Sequence, residues 1–470
     1  MTIEPSHSNS LPNYQLTKHP VGSLREIWAI AWPLMLGLFS TSMMMFGDRL
    51  LLSRYSTAAL NASATSGLAV FSILIMPLMI AGISEVFVGR NHGAGKMHEV
   101  GKPVWQMIWL SLASFPFFVL AIMLLPHLIF AGSGNEILET EYFTWLVYFG
   151  PAFCTTVALM GFFIGIGQVM SVTVCALLGN GINLLLDYLF IFGNGPFPEM
   201  GIFGAALATG ISQILQTLFL GYLFLRKSNR EIYGTARSGL DIQCLTEGFQ
   251  LAAPAALGRL AEVIAHFVFF RIVTLSGHEN LTIIAVVQSF YLLISFTVEG
   301  LSKGVSSISA NLIGGHQQGL INKVLNSSFK LQMIIASIFF LIIVGFSYPL
   351  LSMFFSEKEI SLLQNPDFFA TARLALVWMS IFFLMDGFGW IYAGFLTASG
   401  DTKFLLYASI LLNGLGYLLP AYLILAVAKG SADQGWMLIA FCAMATAIVY
   451  RWRYLSGKWK ESIPKEMLTS

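Results

Sequence analysis

The sequence predicts an all-α polytopic membrane protein of twelve transmembrane helices, arranged as two six-helix lobes related by a pseudo-two-fold axis along the membrane normal. Composition is the first ground for this. Of 470 residues, 56% are hydrophobic and only 10% charged, with a mean hydropathy of +0.74, whereas a soluble domain carries about 25% charged residues. The second is that apolar stretches recur, each reaching the about 20 residues needed to cross about 30 Å of hydrocarbon. The third is that the chain repeats itself. AxPLMLG around Pro33 returns as AxPAALG around Pro254, and Gly37 and Gly93 return as Gly258 and Gly314, all with an offset of 221. Gly167 and Asn180 return as Gly400 and Asn413 with an offset of 233, as if a short insertion lay between. Two halves of like orientation form a parallel repeat, an architecture that encloses a central cavity.

The apolar stretches begin near Ile27, Ser66, Val104, Tyr142, Ser171, Gly201, Phe249, Asn280, Val324, Phe368, Phe404 and Gly435. Between them SGNEILE, GNGPFPEMG, SGHENL, SEKEISLLQNPD and KGSADQG carry turn-forming residues. The chain therefore divides into an N-terminal segment (1–26), an N-terminal lobe (27–225), a basic linker (226–244), a C-terminal lobe (245–454) and a C-terminal tail (455–470). The polar first 26 residues hold no apolar run and no small-residue cleavage site, so the first span is expected to target the chain. Lys and Arg set the orientation, because positive charge stays on the cytoplasmic side. With both termini inside, the inner segments hold 17 of the 25 basic residues and the outer loops only Arg49, Arg54, Lys358 and Lys429. The expected location is the plasma (inner) membrane, with cytoplasmic termini and cytoplasmic linker.

The net charge of +1 hides this sorting and gives no sign of a nucleic-acid partner. Cys154, Cys175, Cys244 and Cys442 are scattered without a CxxC, which argues against disulfides and a cysteine metal site. HExxH, GxSxG and an in-membrane Cys/His cluster are all missing from the sequence, so an enzyme is not expected. The basic cluster Arg226, Lys227, Arg230 and Arg237 reads as a topology determinant touching anionic lipid.

Carboxylates inside apolar helices are costly and call for a function. Four stand out: Asp48, Asp187, Glu262 and Asp386. With a helical rise of about 1.5 Å per residue, Asp48, Asp187 and Thr209 lie roughly 6 to 12 Å below the outer surface, at one depth. Asn183 precedes Asp187 by four residues, so both face one way and can bind one ion or proton together. Glu262 and Asp386 lie about 20 Å from the outer surface, near mid-membrane. Each acid also has a structural alternative. Asp48 stands beside Arg49 and Asp187 near a span end, and Glu262 has Arg259 and His266 one turn away for an ion pair. Asp386 has no basic residue within a turn on its own helix. Glu85 and Glu299 read as ion-paired span ends, with Arg90 and Lys303 as partners. Pro33, upstream of Asp48 on one helix, is a hinge candidate. Some of the 39 Phe and 10 Trp, if they line a cavity, offer π faces to an organic cation.

These features together resemble the multidrug and toxic compound extrusion (MATE) family over essentially the whole chain. The resemblance rests on Pro33 with Asp48 fifteen residues on, Gly93-Ala94-Gly95-Lys96, GNGINLLLDYLFIFG leading to MGIFGAALATG, and Glu262 and Asp386 upstream of SGDTK. It implies a secondary active antiporter exporting organic cations such as drugs, toxins and dyes in exchange for protons or sodium ions. It places the amino-terminal ion site on Asp48, Asn183, Asp187 and Thr209, and the carboxy-terminal ion and substrate site on Glu262 and Asp386. Na+ would bind at Asp48, Asn183 and Asp187 or at Glu262 and Asp386. No cofactor beyond the coupling ion is implied; organic cations and membrane lipid are the expected partners of a monomer. Arg49, Glu85 and Lys303 depart from the family pattern. A flippase for a lipid-linked oligosaccharide is the alternative, but a pyrophosphate headgroup favours arginines and lysines where this chain has mid-span acids.

Overall fold

The computed structural model describes residues 15–275, 277–354 and 360–467. The first 14 residues of the expected N-terminal segment, Ser276 of SGHENL, residues 355–359 with Lys358, and the last three of the tail lie outside the described residues. Among the described residues ten helices are long and apolar enough to cross a membrane, and a bent pair makes an eleventh. The N-terminal half contributes α1 (Leu24–Tyr55), α2 (Thr57–Gly93), α3 (Met97–Ile129), α4 (Glu136–Tyr148 and Gly150–Gly165, bent by 42°), α5 (Val169–Phe192) and α6 (Gly201–Phe224). The second half contributes α7 (Ile242–Thr274), α8 (Glu279–Gly314), α9 (Gln318–Gly345), α10 (Pro366–Ser399), α11 (Thr402–Val427) and α12 (Ala432–Leu455). The 33 residues of α7 match the 32 of α1, and α7 holds the repeat position of α1; it completes the twelve.

Several helices begin one or two turns before the apolar stretch that announced them. Hydropathy registers only the lipid-crossing part, whereas capping starts the helix earlier. Ser56 caps α2 through Ala59 N–H at 3.0 Å, and Asp241 caps α7 through Cys244 N–H at 2.9 Å. The bend in α4 falls at Phe149-Gly150-Pro151, where proline removes a backbone donor. Part of α11 is π-helical (Leu412–Leu418 and Tyr422–Val427) around Gly414, Gly416 and Pro420; hydropathy carries no trace of it.

The N-terminal lobe and the terminal-face half of the second lobe share one apolar core, running from Ile27 and Phe143 to Val305, Ile308 and Phe395. The other half of the second lobe has a core of its own, around Phe269, Val287, Phe383 and Trp436. The buried core thus joins the two lobes on the face carrying the termini, and on the opposite face the core of the second lobe is not continuous with it. Along the fused half, Gly300–Gly314 of α8 is buried at every position except Lys303.

The pseudo-two-fold axis is visible residue by residue in that seam. Gly93 lies against the Asn311 backbone and Gly314 against the Arg90 backbone, so closely that a Cβ on either would collide. The offset of 221 makes these two contacts mates. Arg90 donates from Nε and Nη2 to the Ala398 carbonyl at 3.1 and 2.7 Å, while Asn311 Nδ2 donates to the Gly165 carbonyl at 2.8 Å. Gly165 and Ala398 differ by 233, so this pair of locks is symmetric too.

Residues of the basic linker are strapped to α3. Trp105 and Trp109 donate from Nε1 to the Thr235 and Ser238 carbonyls at 2.8 and 2.9 Å, and Lys102 pairs with Asp241 at 2.6 Å. The Lys102 ammonium and the Cys244 N–H hold the Asp241 carboxyl below the usual carboxylate range.

Candidate functional site

The N-terminal lobe gathers its polar side chains between α1, α5 and α6. On α5, Thr173, Asn180, Asn183 and Asp187 recur at helical spacing and form a stripe facing α1. Thr173 Oγ1 donates to the Pro33 carbonyl at 2.7 Å, so the hinge candidate is pinned by a hydroxyl from the neighbouring helix. Asn180 Nδ2 reaches Ser40 Oγ at 3.0 Å and Thr41 Oγ1 at 3.2 Å. At the end of the stripe the structure brings Asp48, Asn183, Asp187 and Thr209 together. With its nitrogen turned to the acids, the Asn183 amide donates to Asp48 Oδ1 at 3.0 Å and Asp187 Oδ2 at 3.3 Å, and its oxygen faces the Thr209 hydroxyl at 3.2 Å; this orientation satisfies both ends of the amide.

The Asn183 amide thus bridges the Asp48 and Asp187 carboxyls, which face each other across it. Asp48 is 8% exposed, Asp187 and Asn183 are fully buried, and Asp187 Oδ1 has no hydrogen-bond partner among the described residues. Arg49 is exposed, so Asp48 turns inward rather than sitting at an interface. Tyr142 of α4, buried and within electrostatic range of both acids, was missed by sequence reasoning because tyrosine in a membrane helix gives no signal above its neighbours. Four oxygen-bearing side chains with one unfilled acceptor suit a proton or a small hard cation.

The second lobe places Glu262 and Asp386 in one neighbourhood, with different partners. Arg259 Nη1 donates to Glu262 Oε2 at 2.7 Å, and its guanidinium lies over the Trp390 ring at 4.6 Å. Tyr291 OH donates to Asp386 Oδ2 at 2.9 Å. Arg259 is within electrostatic range of Asp386 as well. The apparent isolation of Asp386 on α10 is therefore corrected, since its neighbours come from α7 and α8. His266 bonds the Glu262 backbone carbonyl at 3.2 Å and not the carboxylate. Around this group stand the rings of Phe382, Trp390 and Trp436, with Tyr291 and Phe382 centroids 4.9 Å apart. Glu299 pairs with Lys303 at 3.5 Å as expected. Glu85 does not pair with Arg90, because five residues along a helix turn two side chains to different faces.

A family model described as MatE matches residues 33–189 and 254–423. The chain belongs to the MatE family. The two matched segments open at Pro33 and Pro254, the first landmarks of the internal repeat. The chain is similar to an uncharacterized transporter, YisQ, of Bacillus subtilis, 23% identical over 456 residues, 94% of this chain and 96% of that protein. It is also similar to a probable multidrug resistance protein, NorM, of Thermotoga maritima, 25% identical over 338 residues, 67% and 69% of the two chains. In fold it resembles an outward-facing MATE family multidrug resistance transporter of the MOP superfamily, with a TM-score of 0.82 at 18% identity, covering 93% of this chain and 97% of that one. MatE-family proteins are membrane transporters and not enzymes, and this chain is an integral membrane transporter of that kind.

Within this MatE chain the repeat fails at the polar sites. The offsets set Phe269, Gly416, Pro420 and Cys442 opposite Asp48, Asn183, Asp187 and Thr209. In return Thr41 and Phe153 stand opposite Glu262 and Asp386. The lobes share a scaffold, and each carries its own carboxylate cluster.

Proposed function

We propose that this transporter is a secondary active antiporter of the plasma membrane, with cytoplasmic termini, that exports organic cations in exchange for protons or sodium ions by alternating access. One observation supports the reading above the others: the buried Asp48–Asp187 pair, bridged by the Asn183 amide and flanked by Thr209. The relatives described as multidrug resistance proteins agree with the cargo, and the prevalence of basic residues on the terminal face agrees with the orientation.

With the termini in the cytoplasm, as this reading has them, the fused seam corresponds to a conformation closed on the cytoplasmic side. From outside, a proton or sodium ion enters at Asp48, Asn183, Asp187 and Thr209. A cation held by Glu262 and Asp386 among Tyr291, Trp390 and Phe382 leaves when ion binding and cargo binding no longer coexist. The lobes then part at the seam, with Pro33 as the bending point of α1, and loss of the ion inside restores the charge that readmits cargo.

The driving force is bounded. One proton moving down one pH unit gains about 1.4 kcal/mol, and 100 mV adds about 2.3 kcal/mol for each net charge moved. A one-for-one exchange with a monovalent cation moves no net charge and supports about a tenfold gradient per pH unit. A second proton would bring in both contributions, about 3.7 kcal/mol, on the order of 500-fold more.

The test is reconstitution in vesicles with either a pH gradient or a sodium gradient imposed alone, following a fluorescent organic cation. Uptake against its gradient under one of them supports antiport; no uptake under either contradicts it.

A further inference from the structure

Glu85 stands apart from both carboxylate clusters. It lies on α2 just past the break at Ile83, is 8% exposed, and its Oε1 has no hydrogen-bond partner among the described residues. Ser306 of α8 stands next to the Glu85 carboxyl across the seam, one turn before the place where Gly89 of α2 lies against Ser307 and Ala310 of α8. The repeat offset of 221 makes Ser306 the counterpart of Glu85. Two positions exchanged by a two-fold axis touch each other only on that axis, so Glu85 occupies the centre of the seam. This is where the lobes must part if the terminal face is to open.

The groups around it leave the charge largely uncompensated. From α8, besides Ser306, come Lys303 and Glu299; the Lys303 ammonium is held by Glu299 at 3.5 Å, with side chains 39% and 44% exposed, so its charge is shared with a second carboxylate and with solvent. From α4, Gly161 and Gly165 lie against Ser84–Val88 and bring no side chain. From α3, Lys102 is engaged by Asp241, and His98 and Glu99 lie on the turn that opens this helix. On α2 itself, Arg90 turns to the Ala398 carbonyl and His92 to Asn311 Oδ1 at 2.7 Å. An ionised carboxylate in the shut seam would be a buried charge with an unpaired oxygen, which is strongly disfavoured. Parting the lobes would hydrate it. A metal ion in its place would want several oxygen ligands, and among the described residues no group of three or more His, Cys, Asp and Glu is placed to hold one.

We propose that Glu85 is a proton-binding site of the interlobe seam, neutral while the terminal face is shut and ionised once it opens. The proton is taken up from the terminal side on closing and returned there on opening. It does not cross the membrane and adds nothing to the exchange stoichiometry; it makes the balance between the two conformations answer to pH on the terminal side. The inference needs only that the lobes part there, whatever the cargo.

The test measures interlobe distance in the full-length chain in lipid nanodiscs without substrate. Spin labels are placed by Ser238→Cys, on the linker strapped to α3, and Lys460→Cys, after α12, with the four native cysteines replaced. In the parent background the long-distance population is expected to grow as pH rises, and in Glu85→Gln to stay small and independent of pH. A pH-dependent population surviving in Glu85→Gln, or none in the parent, overturns the proposal. If Glu85→Gln fails to insert, Glu85→Met, which is neutral at every pH, decides, and a pH-dependent population surviving there overturns it.

Discussion

Tyr291 illustrates what a residue can do that its sequence position conceals. Its hydroxyl donates to Asp386 at 2.9 Å from a helix 95 positions away, and nothing in the spacing of α10 announces it. Sequence spacing reports only neighbours on the same helix, so Asn183 and Asp187 were legible as a pair, whereas Arg259 and Tyr291, which reach Asp386 from α7 and α8, were not. Asp48 and Thr209 could be set beside that pair from sequence by counting depth along three helices, because a membrane fixes where each helix begins. Tyr291→Phe removes one charge-assisted hydrogen bond, worth about 1.5 to 3 kcal/mol. If Asp386 holds cargo, apparent affinity for the cation should change on the order of tenfold or more while coupling to the ion gradient persists. A cation titration under a fixed gradient reads this, and unchanged affinity would remove Tyr291 from the site.

At the scale of elements, α2 and α8 form the seam and α3 carries the linker. The repeat offsets are legible in the residue spacing, yet they do not reveal that Arg90 and Asn311 act as paired locks onto the Ala398 and Gly165 carbonyls, since both acceptors are backbone atoms. Arg90→Ala and Asn311→Ala should each weaken the shut seam by about 1.5 to 3 kcal/mol, shifting the interlobe distance distribution toward the long form on the order of 10- to 100-fold. Gly93→Ala should act more severely, because its Cβ meets Asn311 backbone that cannot step aside. A distance distribution unchanged by all three would contradict the locks.

The linker gives a second test at this scale. Asp241 is held below the usual carboxylate range by Lys102 first and the Cys244 N–H second. Its contribution is therefore complete above the unfolded carboxylate value of about 3.9 and is lost as pH falls through the lower folded value. Asp241→Asn keeps the cap and removes the charge, so its thermal unfolding should fall slightly below wild type at neutral pH and converge with it in acid. The difference is small because the pair is solvent-exposed. A gap that persists in acid would assign the effect to something other than the charge.

The whole molecule is a duplicated scaffold with unlike contents. Fold class, the count of spans and the parallel repeat were legible because apolar length and a fixed offset are one-dimensional signals. The bend in α4 falls at Gly150-Pro151, where proline removes a backbone donor. The π-helical winding of α11 and the division of the core into a fused half and a separate half were not legible, since both depend on how helices meet. Phe269, Gly416, Pro420 and Cys442 in place of the Asp48 group leave the C-terminal lobe without that ion site, so the first lobe is expected to couple the ion and the second to hold the cargo. The measurement that bears most directly on this division is counter-ion flux per cation moved, in vesicles containing wild type, Asp48→Asn, Asp187→Asn or Asp386→Asn. The account predicts that either N-terminal substitution abolishes gradient-driven export and ion flux while cation binding survives, and that Asp386→Asn loses cation binding. Full gradient-driven export by Asp48→Asn or Asp187→Asn would contradict it.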